Sequence, residues 1–165
     1  MSILIVALPR TGSTSLLYKL AKEKGFTPIF EPFDNSGRFK YNGEKNIVLK
    51  TIICHHSNNF ELSKEFDEVI LLSRKNILQC VESHAYQTYF SKNKNYNSNH
   101  QYYYEEVPPK LFDLCYNDVI KWNKDLNELS YKLNTPITYY EDIYDVNSDK
   151  RLRKGNKSEF NKKLI

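Results

Sequence analysis

The sequence predicts an α/β protein of three layers, a parallel sheet between two layers of helices. Three observations predict it. The runs SILIVAL (2–8), NIVLKTIIC (46–54) and EVILLS (68–73) are continuously apolar and rich in β-branched residues, the composition of strands buried on both faces. Helical periodicity returns between and after these runs. Strands that alternate with helices are joined by right-handed crossovers, which sets them parallel.

The elements follow in order. After the first strand, residues 13–24 place Leu16, Leu17, Leu20 and Ala21 on one helical face, and Gly25 supplies a C-cap. PIFE (28–31) reads as a short strand, and 34–45 is polar and turn-rich. After the second long strand, 58–66 predicts a short helix with Leu62 and Phe66 on one side. The third strand leads into a helix over 75–90, with Ile77, Leu78, Val81 and Ala85 inward. Residues 91–106 hold almost no aliphatic side chain and read as a mobile loop. From 110 to 133 the apolar positions Leu111, Cys115, Val119, Trp122, Leu126, Leu129 and Leu133 recur at steps of three and four, a long amphipathic helix with Trp122 in its core stripe. PITYY (136–140) is a last short strand.

With 165 residues the chain fits a single domain spanning 1–165. At 40% hydrophobic it is not a disordered chain, and no stretch approaches the ~20 apolar residues of a membrane span. The apolar start is cut short by Pro9-Arg10, unlike a signal peptide. A cytoplasmic location is expected. Cys54, Cys80 and Cys115 are odd in number and lack a CxxC pair, so buried free thiols are expected rather than a disulfide or metal site. Residues 148–165 carry seven basic side chains against two acidic ones, which accounts for the whole net charge of +4. Such a segment meets nucleic acid, a membrane surface or a phosphorylated ligand, or is simply a solvated end.

In open α/β sheets ligands bind at the carboxyl ends of strands. Behind the first strand lies Pro9-Arg10-Thr11-Gly12-Ser13-Thr14-Ser15. Gly12 permits the tight turn, the amides of 11–15 open a helix N-terminus, and Thr11, Ser13, Thr14 and Ser15 add hydroxyl donors, a combination suited to a phosphate. The loop departs from the Walker A pattern, with Ala7 in place of the first glycine and Ser13 in place of the lysine. The strand EVILLS ends in Arg74, not in a magnesium-binding aspartate, which disfavours a magnesium-dependent kinase. Arg74 offers a guanidinium fork to a second phosphate, and Ser83, nine residues on, can join it if the helix turns back toward the strand end. Two anion sites at adjacent strand ends suit an adenosine bisphosphate compound.

The strand with PRTGST resembles the 5′-phosphosulfate loop of sulfotransferases that use 3′-phosphoadenosine-5′-phosphosulfate (PAPS). LLSRKNILQCVESH (71–84) resembles their 3′-phosphate motif, with Arg74 and Ser83 in the matching places. TYYEDIYD resembles their Tyr-Glu-Asp-Leu-type element, and Arg153-Lys154-Gly155 resembles the Arg-Lys-Gly turn that closes on the 3′-phosphate. These segments span nearly the whole chain in the family's order. PRTGST with arginine, and FEP at 30–32, are similar to carbohydrate, tyrosylprotein and bacterial glycolipid members. The resemblance implies a P-loop NTPase-like sulfotransferase fold, PAPS as donor, adenosine 3′,5′-bisphosphate as product, no metal, and a carbohydrate or glycolipid acceptor with no nucleic-acid partner. Oligomeric state is open.

Sulfuryl transfer needs a cation at the leaving oxygen, a place for Arg10, and a base for the acceptor hydroxyl. Glu31 is the first candidate base, because Phe30 and Phe33 should desolvate its carboxylate and raise its pKa. His55 and His56 are the alternative: they follow Lys50 in the second long strand, an arrangement similar to the base histidine of cytosolic sulfotransferases. Lys50 is expected to help bind the sulfuryl group. Tyr102, Tyr103 and Tyr104, beside Glu105 and Glu106, would stack on an acceptor or stay solvated. The rival functions are a nucleotide kinase-like P-loop protein and a non-catalytic binder of adenosine bisphosphate.

Overall fold

The computed structural model of the protein describes residues 1–32, 41–92 and 107–144. Five strands, β1 (Ser2–Ala7), β2 (Thr27–Phe30), β3 (Ile47–Ile52), β4 (Glu68–Ser73) and β5 (Ile137–Tyr139), form one sheet in the order β2-β3-β1-β4-β5. Every pairing is parallel. The helices are α1 (Ser13–Lys24), α2 (Asn59–Ser63), α3 (Ile77–Lys92), α4 (Pro109–Leu133) and α5 (Tyr140–Ile143).

The three apolar runs become the three inner strands β1, β3 and β4, and β1 and β3 have both faces covered. All six residues of β1 and of β3 are buried. Strand alternation divides them. Ile3, Ile5, Ala7, Val48 and Ile52 pack with Leu16, Leu17 and Ala21 of α1. Leu4, Val6, Leu8, Ile47 and Leu49 pack with Leu62 of α2 and with Leu126 and Leu129 of α4 on the other face. The helix α3 joins that second layer by packing Cys80, Val81 and Ala85 against Phe112, Cys115 and Val119 of α4. Three layers result, as the sequence predicts.

The order of the strands creates the crevice that matters. From β1 the chain leaves through α1 toward β2 on one side, and from β4 it leaves through α3 and α4 toward β5 on the other. The connections diverge between neighbouring strands β1 and β4, and the space beyond their carboxyl ends is left open.

Three expectations need correction. Leu78 stands exposed in the first turn of α3, and Cys80 takes the inward place one helical turn after Ile77. The helix runs two residues past the expected end at residue 90. Cys54 is exposed, because it lies past the end of β3 where the helix layers no longer cover the chain. Cys80 and Cys115 are buried as expected, and burial pushes the Cys80 thiol up to about 12. Phe33, most of the expected loop 91–106 with Tyr102, Tyr103, Tyr104, Glu105 and Glu106, and the basic segment 148–165 lie outside the described residues.

Candidate functional site

At the carboxyl ends of β1, β3 and β4 opens a cavity of about 750 Å³. Its walls bring together Arg10, Gly12, Ser13, Thr14, Ser15, Glu31, Lys50, His55, Arg74 and Ser83, residues spread over more than seventy positions of sequence.

The loop between β1 and α1 is held in a bent form. Arg10 has φ 64° and Gly12 φ 72°, both left-handed, a conformation that glycine takes freely and arginine does not. The Thr11 hydroxyl donates to the carbonyl of Leu8 at 2.8 Å and is fully buried. It staples the turn from inside, so three of the four expected hydroxyl residues line the cavity and Thr11 does not. Helix α1 starts at Ser13 without a side-chain cap, which leaves its first amides and positive dipole end toward the cavity. Gly12 has a second reason to be glycine: a Cβ there would lie 2.4 Å from Cε2 of Tyr140. Tyr140 is buried, and its ring also carries the Arg74 guanidinium, 4.6 Å from the ring centroid. The TYYEDIYD stretch thus supplies a wedge between the two strand ends, a role that its sequence alone does not disclose.

Arg74 follows β4 directly. Its Nη1 donates to Gln79 at 3.2 Å, while its buried Nε and the neighbouring Ser73 hydroxyl have no hydrogen-bond partner among the described residues. Orphaned buried donors are uncommon and favour an acceptor-rich ligand. Ser83 lines the cavity, but its hydroxyl accepts from Arg10 Nε at 2.9 Å, linking the β1 loop to α3.

Lys50 lies on the same strand face as Val48 and Ile52, the face turned to α1. Its ammonium is buried; it donates to Thr14 Oγ1 at 3.1 Å and to Glu31, and sits 4.2 Å over the Phe30 ring. Register explains the meeting with Glu31: Phe30 pairs with Lys50, the Glu31 amide donates to the Lys50 carbonyl at 3.0 Å, and a left-handed turn at Glu31 (φ 40°) follows. Burial lowers the Lys50 pKa below its ordinary value, Glu31 opposes that, and the positive charge of Arg10 adds to it. The expected aromatic surroundings of Glu31 are there in Phe30, but an ammonium also sits on the carboxylate.

His55 is exposed and lines the cavity. His56 lines a separate groove beside α4, and its Nδ1 accepts from the Asn58 amide at 3.1 Å. Arg153, Lys154 and Gly155 lie outside the described residues. Sequence reasoning missed two groups. His84 of α3 and Trp122 of α4 meet edge to face, centroids 5.2 Å apart, and both line the cavity. Trp122 does pack against the core, as its helical stripe predicts, but only in part. No family model, no curated protein and no solved structure matches the chain.

Proposed function

We propose that the chain is a PAPS-dependent sulfotransferase of the P-loop NTPase-like type, passing a sulfuryl group to a hydroxyl of a carbohydrate or glycolipid. One observation carries the reading. Two guanidinium groups, Arg10 past the end of β1 and Arg74 past the end of β4, line a single cavity at the point where the connections diverge. A ligand with phosphate-type groups at both ends of a ribose suits two such groups in one cavity, and Arg74, which lines the cavity with its Nε unpartnered among the described residues, suits the 3′-phosphate.

The donor supplies the sulfuryl group; the chain's residues do the rest. The open amides of α1 with Ser13, Thr14 and Ser15 hold the 5′ end. Arg10 neutralises charge that gathers on the leaving oxygen. Lys50, steadied by Glu31 and Thr14, presents a second cation to the transferred group. Ser83 fixes the direction of the Arg10 guanidinium.

Thermal denaturation with adenosine 3′,5′-bisphosphate and no metal tests the reading. At 100 times its dissociation constant the ligand should add about 2.7 kcal/mol, worth roughly 2–4 °C per kcal/mol in a domain of this size. Equal protection by ATP with magnesium, abolished by a chelator, would overturn the proposal in favour of a kinase. Arg74→Ala should weaken the bisphosphate by about 1.5–3 kcal/mol while sparing adenosine 5′-phosphosulfate, which lacks the 3′-phosphate.

A further inference from the structure

Part of the cavity wall is left over once the anion sites are accounted for. It includes Trp122, His84, Gln87, Thr88 and His55. Trp122 packs part of its indole against two core clusters, which fixes the ring, and turns the remainder to the cavity. Such a surface suits the apolar C–H face of a sugar ring whose hydroxyls reach polar neighbours. His84 meets the indole edge to face, one residue along α3 from Ser83, which holds Arg10. Arg10, Ser83 and His84 line the same cavity, which puts the imidazole in the space that Arg10 faces. Charged groups approach it from two sides, Asp118 on α4 and Arg10 on the β1 loop. Burial lowers its pKa below the ordinary value; Asp118 opposes and Arg10 reinforces that, which favours the neutral form that can take a proton.

We infer that Trp122 and His84 form the acceptor subsite, the indole taking the face of a pyranose and the imidazole taking the proton of its attacking hydroxyl. The inference rests on the sulfotransferase reading above. In the step, the acceptor oxygen forms a bond to sulfur. The bond from sulfur to the 5′-phosphate oxygen breaks, its electron pair staying on that oxygen. The acceptor proton passes to the imidazole nitrogen. A sulfate ester, adenosine 3′,5′-bisphosphate and a protonated His84 result.

Trp122 is the chain's one tryptophan, so the indole emission of the unaltered full chain reports from this subsite. The bisphosphate complex is titrated with methyl glucoside, methyl galactoside and phenol. A saturable emission change with a pyranoside is expected. No saturable change in a protein that binds the bisphosphate overturns the subsite and leaves the nucleotide site standing. A response to phenol alone overturns the pyranose assignment. Failure of the bisphosphate itself to bind overturns the parent reading. The responding sugar then serves as acceptor. His84→Gln should lower turnover by about 10²–10⁴-fold, with bisphosphate and sugar titrations unchanged. The acid limb of the kcat/KM profile should vanish with it, and added imidazole should restore turnover to His84→Ala. His84→Gln with full turnover overturns the base role. So does loss of bisphosphate binding in both variants, which would make His84 part of the nucleotide site or the fold.

Discussion

Lys50 shows how one buried charge sets the chemistry of a cavity. Its folded pKa is lowered, burial being the main cause, so between that value and the unfolded 10.5 the unfolded chain holds the proton more tightly. Stability should therefore rise with pH across that alkaline window, and urea denaturation of Lys50→Met should lack the rise. Glu31→Gln removes the group that opposes burial, so the window should open at lower pH than in the unaltered protein; an unchanged onset would show that the pair is not coupled. His84 gives the acid counterpart. Its pKa is also lowered, so stability should be lost as pH falls through the unfolded value near 6.5, and less so in His84→Gln. The placement of Lys50 was half legible: alternation along IVLKTI puts it on the face of Val48 and Ile52. Its partner was not, because Glu31 meets it through the register of β2 on β3, and nothing local in either strand encodes which strands are neighbours.

Among the elements, α1 carries glycines at both ends, and they are not equivalent. Gly25 closes the helix at φ 66° with open space around it. Gly25→Ala should cost only the backbone penalty of about 1–2 kcal/mol. Gly12→Ala should cost that plus about 1–3 kcal/mol for forcing a methyl against the buried Tyr140 ring, and should weaken bisphosphate binding as well. Equal melting temperatures for the two variants would mean that Tyr140 yields freely. The long elements were legible because a six-residue apolar run or a helical stripe leaves one way to bury it. Leu78 was not, and Trp122 was only as far as its core contact, because helical spacing tells which side turns inward and not how far the covering layer extends. Trp122 belongs to the stripe and to the cavity at once, and periodicity sees only the first.

Across the molecule, order should fall off from the middle of the sheet to its rims. β1 is wholly buried between two parallel neighbours, whereas β5 is three half-buried residues at one rim and β2 is largely exposed at the other. Native-state hydrogen exchange should be slowest in β1 and β3 and fastest in β2 and β5. Exchange as slow at β5 as at β1 would indicate unfolding as one unit. The alternation of strands and helices announced the layered class, but the crevice between β1 and β4 depends on strand order, which only the assembled sheet reveals. The Tyr140 wedge carries a consequence for biosynthesis. The loop after β1 leaves the ribosome well before Tyr140, the ring that braces it. At roughly 5–20 residues per second, several seconds separate the two events. A nascent chain halted before residue 137 would hold the loop's residues without its brace, and the loop would settle into its shape only once Tyr140 has emerged.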